Sequence, residues 1–467
     1  MILERLFHLS KSGTTVPREL IAGVTTFTAM AYILAVNPAI LMNGFGADPA
    51  IGTDPASASY MAVKGALLTA TAVSAAIATL IMAFLANYPI ALAPGMGINA
   101  FFAFSICLAA GVPWQEALGM VFVNGFIFLT LSLTGIREKI IKCIPYALKI
   151  AITCGIGIFI AFIGLKNAGI VADHPATLVA PGDFTSPPVA LALAGIILMA
   201  VLVARRVPGA IILGIAILTV VGFFLPDGRG GSVTPRPESL GALISAPPSI
   251  APVFLKLDLS FLTSFPAIMK ALPFILALLL VDMFDNIGTL IGVTKRAGFL
   301  DKDGNLPRAG RALISDSLAA ILSSLFGTST VVSYIESASG VEAGGRTGLV
   351  GVAVAVLMLL ALFLAPLILL VPAAATAPVL VIVGVFMLQS IREIEFDDFA
   401  TAVPAALVII GIPLTFSIAE GIGFGLISAG LMALLLGKGR SFPVLGYIIA
   451  AIFLLSFFKI FPFHGGN

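Results

Sequence analysis

Charge is what this sequence has least of. Only 10% of its 467 residues are Asp, Glu, Lys or Arg, against 59% hydrophobic, whereas soluble domains carry about a quarter charged residues. With so little polar surface to offer water, most of the chain must have lipid as its solvent. The net charge is +2 with no basic tract, which leaves no electrostatic footprint for nucleic acid. Cysteine and histidine are scarce too, at three each. Cys107, Cys143 and Cys154 stand apart in apolar stretches without C-x-x-C spacing, which argues against a disulfide framework or a zinc site. His8, His174 and His464 fall in terminal or loop regions, so no intramembrane imidazole is available for a metal or a proton relay. Without a nucleophile, metal or base-acid constellation the chain does not read as an enzyme, and no cofactor is expected. Nor is a cleavable signal, because Met1 to Ser12 carries Glu4 and Arg5 and lacks a continuous apolar run.

What is present is a succession of apolar runs of roughly 17–25 residues, too long for the short alternating strands of an outer-membrane barrel. Seven fall near 17–40, 65–87, 91–110, 114–134, 145–166, 187–204 and 208–225. A Gly- and Pro-rich polar stretch at 226–264 reads as an aqueous loop. Seven more follow near 266–294, 310–327, 331–345, 347–371, 375–391, 399–416 and 418–437. An odd number of spans in each half makes the second half enter from the opposite face, the topology of an inverted repeat over 1–225 and 265–437. With the N-terminus in the cytoplasm, seventeen basic residues fall inside, among them Arg137, Lys139, Lys142 and Lys302, against six outside, among them Arg229. That bias satisfies the positive-inside rule for a fourteen-span protein of the cytoplasmic membrane. Residues 438–467 remain over; their apolar part, 442–461, with Lys459 near its end, either lies in the interface as an anchor, the preferred reading, or crosses once more.

The third segment of each half is defective as a helix. Ala93-Pro94-Gly95-Met96-Gly97-Ile98-Asn99 has a proline and two glycines, so an unbroken helix cannot run through it. Ser329-Thr330-Val331-Val332-Ser333-Tyr334-Ile335 is β-branched and hydroxyl-rich and reads as a short extended piece feeding a half-helix. Non-helical backbone at membrane depth is tolerated where it is buried in protein or lines a cavity, so the two breaks are expected to face each other around a substrate.

Acids inside the membrane sharpen that expectation. At about 2.5–3.5 kcal/mol per central charge, Asp282, Asp285 and Glu336 cannot face lipid. Asp282 and Asp285 are three apart and share a helix face, with no basic residue between Lys270 and Lys295 to pair them. Glu336 follows the second break directly, where it can either meet a ligand or cap the half-helix. Asn99 can donate and accept, as a heteroaromatic ligand requires, but is also a common turn residue. Phe27, Tyr32, Phe101 and Tyr334 are candidates for stacking on a planar ring or for packing. Asp316 and Glu342, near Arg308, Arg311 and Arg346, read as ion-pair members, and Glu420 as a helix-end residue.

At Thr25-Thr26-Phe27-Thr28-Ala29-Met30-Ala31-Tyr32, Pro94-Gly95-Met96-Gly97-Ile98-Asn99-Ala100, Asp282-Met283-Phe284-Asp285 and Ser333-Tyr334-Ile335-Glu336-Ser337, the chain resembles the nucleobase-ascorbate transporter superfamily. Within it the likeness is to the AzgA-like adenine, guanine and hypoxanthine permeases. The resemblance implies an all-α fold of fourteen spans in a seven-plus-seven inverted repeat. A core domain (spans 1–4 and 8–11, about 17–134 and 266–371) would work against a gate domain (spans 5–7 and 12–14, about 140–225 and 375–437). It further implies purine uptake by proton symport through an elevator-like motion, commonly as a homodimer. Carried over, Asn99 and Gly97, with Ile98 and Phe101 beside them, match the third-span substrate motif; Asp282 and Glu336 match the acids that bind the base; Asp285 matches the second acid of the eighth span. Asp282, Asp285 and Glu336 are the candidate proton carriers. Uracil and xanthine members often space the two polar positions of the eighth span by four residues, where three are found here. A uracil or xanthine symporter, and an anion exchanger or channel on the same scaffold, are the competing readings.

Overall fold

The computed structural model describes residues 2–458 apart from Ala56, 135–143, Arg229, Glu238 and 300–306. Arg137, Lys139, Lys142, Cys143, Arg229, Lys302, Lys459 and His464 therefore lie outside the described residues. A short helix α1 (Ile2–Phe7) leads into the first half: α2 (Val16–Met30), α3 (Ile33–Phe45), α4 (Ala58–Ile81), β1 (Leu92–Pro94), α5 (Met96–Ala100), α6 (Trp114–Thr134), α7 (Tyr146–Asn167), a β2–β3 hairpin (Val171–His174, Leu178–Pro181), α8 (Pro187–Ala204) and α9 (Ala210–Gly222). The second half runs α10 (Phe265–Arg296), α11 (Ala309–Phe326), β4 (Val331–Ser333), α12 (Ser337–Glu342), α13 (Leu349–Ala361), α14 (Ala365–Leu369), α15 (Ala373–Leu388), α16 (Phe399–Thr415) and α17 (Ile418–Leu435). All fourteen expected segments are present. Among the described residues ten helical stretches are long and apolar enough to cross a membrane, and the chain is a multi-pass membrane protein.

Both expected breaks are extended, and they pair with each other. β1 and β4 form an antiparallel ladder with Leu92 opposite Ser333 and Pro94 opposite Val331, continued by Tyr334 N–H to the Ala91 carbonyl and Gly95 N–H to that of Thr330, each 3.0 Å. The pairing satisfies the backbone groups that Pro94 and its neighbours leave outside any helix. Its sense follows from topology: equivalent segments of two halves that enter from opposite faces must run antiparallel. Each strand is followed by a helix start, α5 continuing as a π-helical stretch over Phe101–Ala109 and α12 ending after a turn and a half.

The helices sort by packing. α7 lies against α15 and α16, whereas α4 lies against α3, α11 and α13, and α6 against α11. At the closest approach of α7 and α15, glycines face each other: a Cβ at Gly157 would stand 2.8 Å from the Gly384 carbonyl oxygen. Loop 226–264 does not simply hang in solvent. Its far part ties down the ends of several helices, with Thr69 donating to the Pro248 carbonyl at 2.8 Å, and with Leu255 N–H bonded to Leu325 and Asp258 N–H to Gln115. The last helix, α18 (Val444–Phe457), doubles back along α17, placing Tyr447 against Gly430 and Phe457 against Gly423.

Candidate functional site

The half-helix α12 opens at Glu336, whose side chain makes no capping hydrogen bond to it. Capping, the bland alternative for this acid, is thus not its use in the structure. Glu336 instead accepts a 2.7 Å hydrogen bond at Oε1 from the Tyr32 hydroxyl and faces a cavity of about 110 Å³. One wall is the two breaks, through Gly95, Met96 and Gly97 on one side and Val332 to Glu336 on the other; Asp285 and Thr289 of α10 form a second, and Val383, Phe386 and Met387 of α15 a third. Larger hollows exist, such as one of about 240 Å³ between Lys270 and Glu420, but neither Asp285 nor Glu336 reaches it. It is at the cavity between the breaks that Asp285 and Glu336 meet.

Of the residues singled out from the sequence, Glu336, Asp285, Gly97, Tyr32 and Tyr334 line this cavity. The Tyr334 hydroxyl is committed to the Pro94 carbonyl at 2.7 Å, a bond that staples one break to the other. Asp282, Asn99, Ile98, Phe101 and Phe27 are not among its lining residues. Asp282 is 1% exposed and accepts from Asn286 Nδ2 at 2.8 Å and Asn124 Nδ2 at 3.2 Å. Asn286 in turn accepts from Ser333 N–H at 3.0 Å, while the Ser333 hydroxyl donates to Asp316 Oδ1 at 2.8 Å. Asp282 and Asp316 thus both brace β4 from behind, through Asn286 and Ser333. Asn99 is fully buried and accepts from the Ser329 hydroxyl. Ile98 is buried in the core, and Phe101 packs on Phe274 with ring centroids 6.5 Å apart. Phe27 is half-buried against the same core.

The split between Asp282 and Asp285 is geometric. A three-residue step leaves side chains about 60° apart around a helix, enough for one carboxylate to enter the cavity while the other turns to α6. The prediction for Asp282→Asn is accordingly a loss of stability: the new amide oxygen can accept from only one of the two asparagines, and the other NH2 would face an NH2 in a buried site, costing about 1–3 kcal/mol, with base affinity changed only a few-fold. A thermal melt beside a binding isotherm checks this, and lost affinity at unchanged melting temperature would show that Asp282 does meet the ligand.

Sequence reading did not single out Thr289, Ser333, Val383, Phe386 or Met387. The three α15 residues stand at i, i+3 and i+4, but in a helix apolar all round that spacing is no signal. Tyr32 reads from the sequence as a stacking or packing ring, and its bond to Glu336 has no local trace there.

A model of a permease family matches residues 17–424. A putative permease of Methanocaldococcus jannaschii is 46% identical, covering 97% of this chain and 98% of its own. The guanine/hypoxanthine permease PbuG of Bacillus subtilis is 41% identical over 97% and 99% of the two chains. The adenine permease AdeP of Escherichia coli is 40% identical over 97% and 95%. Among solved structures, the transmembrane domain of the cyanobacterial bicarbonate transporter BicA superposes with a TM-score of 0.58 at 17% identity, covering 87% of this chain and 96% of that one. At that identity the likeness speaks for the fold alone.

Proposed function

The chain belongs to the nucleobase-ascorbate transporter superfamily of permeases, and we propose that it imports a purine base, adenine, guanine or hypoxanthine, by proton symport across the cytoplasmic membrane. The observation that carries the reading is the lining of the cavity: two carboxylates, Asp285 and Glu336, and no basic side chain among the described lining residues. Such a site repels anions, which argues against anion exchange on this scaffold, and suits a ligand that presents N–H donors. A purine has those donors along its edges, and its flat faces fit the apolar wall of Val383, Phe386 and Met387. Its relatives include adenine and guanine/hypoxanthine permeases, which favours adenine, guanine or hypoxanthine over uracil or xanthine.

For coupling, a carboxylate open to the cavity can take up a proton together with a neutral base, which supports Asp285 and Glu336 as its carriers over Asp282. Each proton moving inward contributes about 2.3 kcal/mol per 100 mV. An elevator-like movement of core against gate is supported by the packing, in which α7, α15 and α16 form one group and α3, α4, α6, α11 and α13 another, with the cavity between α15 and the breaks. The excess of basic residues at one end of the spans supports a cytoplasmic N-terminus, and a homodimer in the bilayer is the expected assembly.

Radiolabelled uptake of hypoxanthine, adenine, guanine, xanthine and uracil in a strain lacking its own permeases tests the whole. Saturable purine accumulation is expected, abolished by a protonophore while base binding to purified protein persists. No accumulation of any base would defeat the proposal, and uptake restored by a sodium gradient alone would replace the coupling ion.

A further inference from the structure

The first span is broken as well, at a place with no glycine or proline to announce it. Met30-Ala31-Tyr32-Ile33 would be read as continuous helix, yet α2 ends at Met30 and α3 begins at Ile33. Ala31 and Tyr32 keep right-handed dihedrals, with ψ of −18° and −27°, nearer the tighter 3-10 helix than the α-helix. The hydrogen bonds agree, running three residues back from Leu34 to Ala31 and from Ala35 to Tyr32, both 3.1 Å. A tight turn inside a long helix changes which face its side chains present and often marks a functional position. Here it delivers Tyr32, 2% exposed, to the cavity wall, where its hydroxyl meets Glu336 Oε1 at 2.7 Å.

That bond has consequences for the acid. Among the described residues no other side chain donates to Glu336; α12 takes no capping bond from it, and the neighbouring Tyr334 hydroxyl is spent on the Pro94 carbonyl. Tyr32 and the residue's own backbone N–H are therefore what hold this carboxylate, and Tyr32 is the one side chain among the described residues that does so. A carboxylate has about four lone-pair sites, so these bonds leave acceptor capacity for a ligand. A hydrogen bond to a charged acceptor is stronger than one between neutral groups and fixes its direction, so the phenol selects one orientation of a side chain that otherwise has several rotamers.

We propose that Tyr32 is a positioning residue for purine recognition, fixing the Glu336 carboxylate so that its remaining lone pairs meet an N–H edge of the base. The inference rests on Glu336 contacting the substrate. Sequences that keep the acid but lose the tyrosine would bind the base through a carboxylate free to turn away.

The test is a double-mutant cycle on purified full-length protein, with hypoxanthine and adenine binding measured for wild type, Tyr32→Phe, Glu336→Gln and the double variant, each checked by thermal melting. Tyr32→Phe is expected to weaken binding about tenfold in the wild-type background and less than about threefold in the Glu336→Gln background. Site-specific 3-fluorotyrosine at position 32, which keeps the hydroxyl, should hold affinity within about threefold of wild type and guards against a Phe variant that folds poorly. Wild-type affinity in Tyr32→Phe, equal losses in both backgrounds, or a loss with fluorotyrosine as large as with Phe would each overturn the positioning role. A neutral Glu336→Gln would instead remove the site reading beneath it, so the two failures are distinguishable.

Discussion

Glu336→Gln is expected to weaken purine binding by about 1.5–3 kcal/mol, roughly ten- to hundredfold, the range for a hydrogen bond to a charged group. The substitution keeps volume and leaves an amide oxygen for Tyr32, so the bond across the first and tenth spans can persist. What it removes is the anionic acceptor facing the cavity, where an NH2 would now meet the N–H edge of the base, donor against donor. The fold should tolerate the change, because the Glu336 side chain does not cap α12 and no basic residue among the described lining residues would be left unpaired. Binding isotherms and thermal melts across pH 5 to 8 separate the outcomes. Wild-type affinity at every pH would remove Glu336 from the site, and a collapse of the melting temperature would make it a structural residue.

The parts of this architecture that were legible in the sequence were those with a one-dimensional signature. Apolar run length is set by bilayer thickness, so the spans could be counted, and Pro94, Gly95 and Gly97 interrupt a helix by local chemistry alone. The β-branched run at Val331-Val332 did the same for the second break. Because both breaks stood third in their halves, their meeting could be expected, though their register could not. What stayed hidden depends on rotation about helix axes. Asp282 and Asp285 share a face broadly defined, and only the packing of α6, which brings Asn124 to Asp282, decides which acid enters the cavity. Asn99 borders the break in sequence, yet one turn of helix past Gly95 brings it into contact with Ser329, which its motif does not announce. The tight turn at Tyr32 had no compositional trace, since a 3-10 turn uses the same residues as the helix around it. The Gly157 and Gly384 contact between α7 and α15 was equally silent, as small residues pack helices closely in many membrane proteins without naming their partners.

Gly97→Leu is expected to abolish saturable uptake and to lower base affinity at least a hundredfold, because position 97 has two neighbours it cannot crowd at once. It lines the cavity, and a Cβ there would lie 2.9 Å from Ile156 Cγ2 of α7 and 3.9 Å from Met387 Cε of α15. Even an alanine must push Ile156 aside, and the rest of a leucine can only extend into the space left for the ligand. The backbone is no obstacle, since Gly97 is absent from the positive-φ glycines and leucine is the better helix former. The protein should therefore fold, and the loss can be read as steric. Gly97→Ala separates the two contacts. If the glycine serves only the ligand, alanine should cost affinity and leave the transport rate at saturating base near wild type. If it also lets one helix group slide past Ile156 and Met387, alanine should bind nearly normally yet transport several-fold more slowly. Unchanged affinity in a well-folded Gly97→Leu variant would place the substrate somewhere other than between the two breaks.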